Sequence, residues 1–448
     1  MLDPTLLRNS LPACIQEGLT PLNSFLLTSI LGHQSTSLLA GYSSVNLYLN
    51  PFNFLFSFLL NGVTSGIAFS LGQNYASDVA KRVRLALNTA LSAGFIVGSV
   101  FYFLSFFLLP DDVSFASSYF RVRSISVPFV LIMTALCGIS RGFGHVNYSL
   151  YIQIIFVSFN CFFNYLFLKF FGVTPRSSLF YSGIASLIAE FSAIIVGFFL
   201  LWKKLAPLKF WTKISTPILG NFKATIFIKE SSFLFIKSFM LQLSFFITGN
   251  LIMYKLSKLD MAGYQVVIQL WLIAGYLTNG IGVIVNSQGS KLFGKGDVKK
   301  LCLLVSNALQ WSIVFIVLLF GTFYFFDNVL IKLFTNDPVL VTYLLDNSLM
   351  KIVLVFLPFN SLIFVLDAIL FATQDYSLLC SAVVSSWFLF FLPSIVFVLI
   401  HEKLSIAFLF ICLGLTNFGR NLFSCYYVFF GRNSTFRSTD SQPLLEVT

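Results

Sequence analysis

The sequence predicts an all-α polytopic membrane protein: twelve transmembrane helices in two pseudo-symmetric six-helix lobes around a central cleft. Three observations predict it. The first is composition. Of 448 residues, 57% are hydrophobic and 10% charged, and the mean hydropathy is +0.87, whereas a soluble domain is nearer a quarter charged. The second is segment length. The apolar runs are long and uniform, as a helix of about 20 residues crossing hydrocarbon requires. A β-barrel would show short alternating strands instead, and lipid permits little else because backbone amides must be satisfied internally. The third is repetition. Asn61-Gly62, an apolar stretch and Ser77-Asp78-Val79-Ala80-Lys81-Arg82 are echoed by Asn279-Gly280 and Gly296-Asp297-Val298-Lys299-Lys300, with the asparagines 218 positions apart. Pro128-Phe129 recurs as Pro358-Phe359 at an offset of 230. A half-length repeat in an apolar chain implies two similar lobes, the architecture of proteins that rock about a central site to move a solute.

In order, the expected spans are 9–32, 38–72, 83–109, 115–140, 147–171, 177–202, 225–255, 260–290, 301–325, 338–371, 376–400 and 403–430. Spans two, eight and ten are long for one crossing and are expected to tilt or to extend into water. The polar stretch 203–224, with Lys203, Lys204, Pro207, Lys209, Lys213, Pro217, Gly220 and Lys223, divides the spans six and six. It reads as a cytoplasmic linker between a first lobe, 1–202, and a second, 225–431. Residues 432–448 form a serine-rich cytoplasmic tail. With the N-terminus cytoplasmic, that side holds seventeen Lys and Arg, the other side eight (Arg121 and Arg123 among them), and Lys237, Lys351 and Arg420 lie within spans. The positive-inside rule then places both termini in the cytoplasm. Neither a cleavable signal nor a transit region precedes the first span, and the choice between a plasma membrane and a plastid-type organelle membrane stays open.

Several function classes are disfavoured. The net charge of +11 is spread through loops rather than gathered in a patch, so no nucleic-acid partner is expected. The seven cysteines fall inside spans without metal-type spacing and read as buried thiols. No segment is long enough for a soluble catalytic domain, so the chain is not expected to be an enzyme. No phosphate-binding glycine loop is present, which leaves an ion gradient as the driving force.

The polar residues within spans are the candidate site. Asn46, Asn50, Asn53, Ser57 and Asn61 follow spacings of 4, 3, 4 and 4, which is one helical face. Gln265, Gln269, Tyr276 and Asn279 share a face of span eight. Amides facing lipid would be left unsatisfied, so both stripes face the protein, either gluing helices or lining an aqueous cleft. Their presence in matching helices favours the cleft. Glu17, Glu190, Lys237 and Asp367 are ionisable groups deep in spans, where charge is costly and functional. Asp346, Lys351 and Arg420 are placed nearer the interfaces. Asp367 lies eight residues, about 12 Å of helix, before Asp375 at a cytoplasmic loop. It could load a proton, coordinate sodium with neighbouring amides, or simply cap a helix. Glu190 could have a structural partner such as Lys237.

Further stretches carry a resemblance. They are Met261-Ala262-Gly263-Tyr264-Gln265-Val266-Val267-Ile268-Gln269-Leu270-Trp271-Leu272, Leu277-Thr278-Asn279-Gly280, Phe364-Val365-Leu366-Asp367-Ala368 with Gln374-Asp375, Arg141-Gly142-Phe143-Gly144, and Leu11-Pro12-Ala13 with Pro21. In order and spacing they resemble the multidrug and toxic compound extrusion (MATE) transporter family, within it the DinF-like branch that includes plant organic-acid exporters, across nearly the whole chain. The resemblance implies an antiporter that exports organic solutes or drugs in exchange for protons or sodium. It implies no cofactor beyond that ion, and as partners a small-molecule organic solute and the lipid bilayer around a monomer. It also exposes departures. Leu27 stands where the branch carries a helix-one aspartate, Asn164 (after Asn160) where it carries a helix-five acid, and Gly144-His145 where it carries Gly-Asp. Coupling therefore moves to the second lobe with Asp367 as carrier, which is favoured, or Glu17 substitutes, or tight coupling is lost. Asn164 and Lys237 join the expected cleft. The rival readings are a transporter of lipid-linked headgroups, which needs a strongly cationic cleft, and a non-transporting receptor or scaffold.

Overall fold

The computed structural model describes residues 4–32, 36–109, 111–206, 222–333, 338–346 and 349–430. Its helices are α1 (Pro4–Gly32), α2 (Thr36–Leu55), α3 (Phe58–Gly72), α4 (Ala76–Leu104), α5 (Ser117–Gly142), α6 (Val146–Phe171), α7 (Pro175–Leu205), α8 (Phe222–Lys255), α9 (Lys258–Ile284), α10 (Ser290–Gly294), α11 (Val298–Phe325), α12 (Asp327–Lys332), α13 (Pro338–Asp346), α14 (Leu349–Ala372), α15 (Tyr376–Ser386), α16 (Leu392–Ile400) and α17 (Ile406–Cys425). Among the described residues, eleven helical spans are long and apolar enough to cross a membrane. The first expected span is not one of them. Its helix, α1, has 29 residues, but Gln16, Glu17 and Asn23 dilute its apolar run. Of the expected linker 203–224, α7 covers the start and α8 the end, and residues 207–221 lie outside the described residues, as does the tail.

Two of the three long spans differ from simple helices among the described residues. Span two is interrupted at Phe56–Ser57, giving α2 and α3. Pro51 removes one ladder bond within α2, and the chain then tightens into shorter bonds, Ser57 N–H to Phe54 O at 3.1 Å and Leu59 N–H to Phe56 O at 2.9 Å. Span eight continues from α9 through a five-residue π segment, Val285–Gly289, into α10. Of span ten the structure describes α13 and α14, and residues 347–348 between them lie outside the described residues. Helix starts are marked by side chains that satisfy free amides. Thr174 and Ser177 form a capping box at α7, Ser257 and Asp260 one at α9, and Asp297 caps α11 through Lys300 N.

The duplication is visible in the backbone. Left-handed residues close the turn before α4 (Asn74, φ 60°) and before α11 (Gly296, φ 74°), and likewise after α5 (Gly144, φ 81°) and after α14 (Gln374, φ 64°). Burial repeats in the same rhythm. The spans containing α3, α4 and α5 are 61%, 22% and 61% buried, and those containing α9, α11 and α14 are 67%, 17% and 61% buried. The little-buried helices α4 and α11 carry bare apolar faces, with Phe95, Ile96 and Phe103 on one and Val317, Leu318 and Phe325 on the other. Such faces belong against lipid tails.

The fold resolves into two compact units, residues 18–235, and residues 1–17 with 236–448. The division falls inside α1 and inside α8. In the unit 18–235 the core is built on Val63, Ile67, Val83, Leu136, Ile139 and Ile152, and Arg82 of α4 bonds Glu230 of α8 at 3.1 Å. In the other unit it is built on Trp271, Leu344, Leu349, Phe391 and Phe410. The repeated Asn-Gly phrase is a helix crossing in each. A Cβ on Gly62 would meet Leu234 Cδ1 at 2.7 Å, and a Cβ on Gly280 would meet Cys14 N at 2.5 Å and Cα at 2.6 Å. At Gly280, where the neighbour is backbone, only glycine allows so close an approach, whereas at Gly62 the neighbour is the end of a side chain.

Candidate functional site

Two buried ionic clusters occupy the helices, one in each unit. In the unit containing 236–448, Asp367 stands on α14 and Lys237 on α8, while Asn417, Arg420 and Asn421 share one face of α17 by their spacing. Lys237 Nζ lies 2.7 Å and Arg420 Nη2 3.0 Å from the same atom, Asp367 Oδ2. Asp367 Oδ1 and Arg420 Nε are buried with no hydrogen-bond partner. Lys237 Nζ also sits 5.1 Å from the centre of the Phe371 ring. Arg420 donates to Asn417 Oδ1 at 3.1 Å, Asn417 to Asn360 Oδ1 at 3.1 Å, and Asn360 to Trp271 O at 2.9 Å. These links tie the ions to α9. Arg420 thus lies at the heart of the cluster, 8% exposed.

In the unit 18–235, Glu190 of α7 is fully buried and pairs with Arg123 Nη1 of α5. Its partner is therefore Arg123, not Lys237. Arg123 is in the second turn of α5 rather than in the loop to which its charge was assigned, and its long stem carries the guanidinium inward. Asn46 lies against the hydroxyls of Tyr42 and Tyr119 in the field of this same arginine. Arg141, counted with the cytoplasmic loops, is likewise buried, at the end of α5.

Glu17 on α1 is buried and accepts from Asn279 Nδ2 at 2.8 Å, with Tyr276 close enough to sense its charge. Three residues expected in the site thus meet, one turn from the Gly280–Cys14 crossing. Asn164 is fully buried in a network of its own. It donates to Asn160 O at 2.8 Å and Oδ1 at 2.9 Å and accepts from Ser182, while Ser186 donates to Asn160 Oδ1 and Asn160 donates to Asn23 Oδ1, both at 2.9 Å. Asn50 is exposed, and Asn53 and Gln269 are half-buried. The side chain of Gln265 lies outside the described residues. Beyond the spans, Asp375 follows α14 and accepts from the Thr373 hydroxyl at 2.6 Å. Burial pushes its carboxyl above the ordinary value, and the Thr373 bond offsets part of that.

The sequence reading missed Arg123 as an intramembrane charge and the grouping of Asn360, Asn417 and Arg420. The spacing of the last two with Asn421 on one helical face was the available signal.

The MatE family model matches residues 12–166 and 235–401, the two repeats. The chain belongs to the MatE family. Curated relatives from Arabidopsis thaliana are Protein DETOXIFICATION 43, 24% identical over 58% of this chain and 47% of the relative, Protein DETOXIFICATION 44, chloroplastic, 25% identical over 61% and 51%, and Protein DETOXIFICATION 42, 27% identical over 62% and 52%. The chain spans about half the length of these relatives. Among solved structures, the outward-facing conformation of a multidrug resistance MATE family transporter aligns with a TM-score of 0.82, at 14% identity, over 97% of this chain and 96% of that one. MATE in the bent conformation aligns with a TM-score of 0.77 at 15% identity over 95% and 94%. At such identity the two structures speak for the fold alone, that of an all-α, multi-pass membrane protein.

Proposed function

We propose that the protein is a secondary active antiporter that exports organic solutes in exchange for protons or sodium. The observation that carries this reading is the buried cluster of Lys237, Asp367 and Arg420. Charge inside a membrane helix is costly and is retained where it does work. An ion that binds there changes the local charge balance, and it can drive a conformational change only if its affinity differs between the two states. Asp367, Glu190 and Glu17 are acids of the charged groups through which coupling acts, whether they bind the ion or position the group that does. Solute contacts are proposed at Asn46, Asn50 and Asn53 and, separately, at Gln265, Gln269, Tyr276 and Asn279. The protein works as a monomer in the bilayer, with both termini in the cytoplasm, in a plasma or plastid-type membrane. The headgroup-transporter alternative is not favoured, because Lys237, its support, is already bonded to a carboxylate.

The test is uptake into inverted vesicles of a panel containing ethidium, as an organic cation, and succinate, as an organic acid, with proton and sodium gradients imposed separately. Gradient-dependent accumulation of at least one solute is expected. Flux indifferent to both gradients, for every solute, would overturn the reading.

A further inference from the structure

The charges around Asp367 do not balance. One carboxylate oxygen holds both Lys237 and Arg420, so two cations face one anion. The other groups against Lys237 bring no second negative charge: Phe371 on α14 is an aromatic face, and Cys380 on α15 is the remaining titratable neighbour, a thiol in its ordinary form. Away from water, an excess of one charge is unfavourable. It is relieved if one of the three groups changes its protonation.

The chemistry of each group decides which. A guanidinium does not give up its proton in proteins, so Arg420 stays charged. Protonating Asp367 would leave two cations with no counter-charge and make the imbalance worse. Lysine is the member that exchanges its proton when buried. When Lys237 passes its proton to water, Asp367 and Arg420 remain as a neutral pair. When it regains a proton from water, the ammonium returns to Oδ2. Sodium fits poorly, since the carboxylate that would bind it already answers two positive groups.

We propose that Lys237, rather than Asp367, is the group that carries the coupled proton, with Asp367 and Arg420 positioning it. This rests on the antiporter reading and deepens it, naming the ion as a proton and its carrier as an amine. The two protonation states then differ in what holds α8 to α14, namely an ion pair from Nζ to Oδ2 in one and at most a weaker, neutral-amine hydrogen bond in the other.

Two measurements test this. In liposomes, Lys237→Arg keeps a cation that cannot lose its proton. Its accumulation of ethidium or succinate driven by a proton gradient should fall about tenfold or more. Wild-type proton-driven accumulation in Lys237→Arg would overturn the proposal. The second measurement needs no transported solute. In nanodiscs carrying ¹⁵N-lysine, one side-chain signal, absent in Lys237→Met, should convert from ammonium to amine across the neutral pH range, and Asp367→Asn should shift that conversion. A Lys237 signal that stays ammonium throughout would overturn the proposal even if no solute is moved. A converting Lys237 in a protein that moves no solute under any proton gradient would instead remove the antiporter reading beneath it.

Discussion

Removing the charge of Arg123 leaves Glu190 as a carboxylate with no access to water, and the cost can be worked from the structure. The pair is in hydrogen-bond contact, and Glu190 is 0% exposed against 15% for the Arg123 side chain. With charge centres about 4 Å apart and an effective dielectric near 20, their attraction is about 4 kcal/mol. Breaking a buried pair by deleting one partner costs about 3–5 kcal/mol, whereas replacing both by apolar groups is often neutral. Arg123→Met should therefore destabilise the unit 18–235 by about 3–5 kcal/mol. Glu190→Gln should cost less, because Arg123 retains some exposure and a flexible stem. The double substitution should cost less than the sum of the two, with a coupling of about 2–3 kcal/mol. The assay is reversible unfolding in bicelles by steric trapping on the four proteins of the cycle. Additivity to within about 0.5 kcal/mol, or an Arg123→Met cost below about 1 kcal/mol, would refute the claim that Arg123 neutralises Glu190 inside the helices.

Two further outcomes follow from single positions. Gly280→Ala places a methyl against the backbone of Cys14, at 2.5–2.6 Å, and should cost about 1–3 kcal/mol as overpacking. Gly321→Ala, with open space around it, should cost nothing or stabilise slightly, and equal costs at the two sites in the same unfolding assay would contradict the crossing. Asp260 gives a pH signature. Burial works to raise its carboxyl, but bonds from Ser257 and Tyr343 outweigh burial and hold it below its ordinary 3.8. Its contribution is present above 3.8 and is lost as pH falls through the lower folded value. Because the group is partly exposed the effect is at most about 1 kcal/mol. Wild type minus Asp260→Asn, followed by hydrogen exchange at the first amides of α9, should show this acid-side loss and no slope above pH 5 or so.

What was legible in the sequence was set by local physics. Spans could be read because lipid demands length and apolarity together, and the repeat could be read because Asn61-Gly62 and Asn279-Gly280 serve the same close crossing. Asp367, Glu190 and Glu17 stood out because charge is rare in such segments. Which groups pair with them was not legible. Lys237 and Arg420 reach Asp367 from 130 and 53 residues away, and no periodicity within one helix tells which neighbour it packs against. Arg123 was assigned to a loop because an arginine seven residues into a helix looks interfacial until its side chain is seen to turn inward. The break at Phe56–Ser57 was hidden for the opposite reason. Apolar composition continues across it, and a transient loss of ladder bonds leaves little trace in hydropathy.

The central claim, that solute movement is chemically tied to an ion, is tested most directly by the solute gradient at which net flux vanishes. It is measured in liposomes holding purified protein, with membrane potential clamped at zero and the proton gradient varied. For one-for-one exchange, a tenfold proton gradient should hold about a tenfold solute gradient at zero flux, and the null point should move in step with pH. A null point fixed at equal solute concentrations, whatever the proton or sodium gradient, would contradict the account.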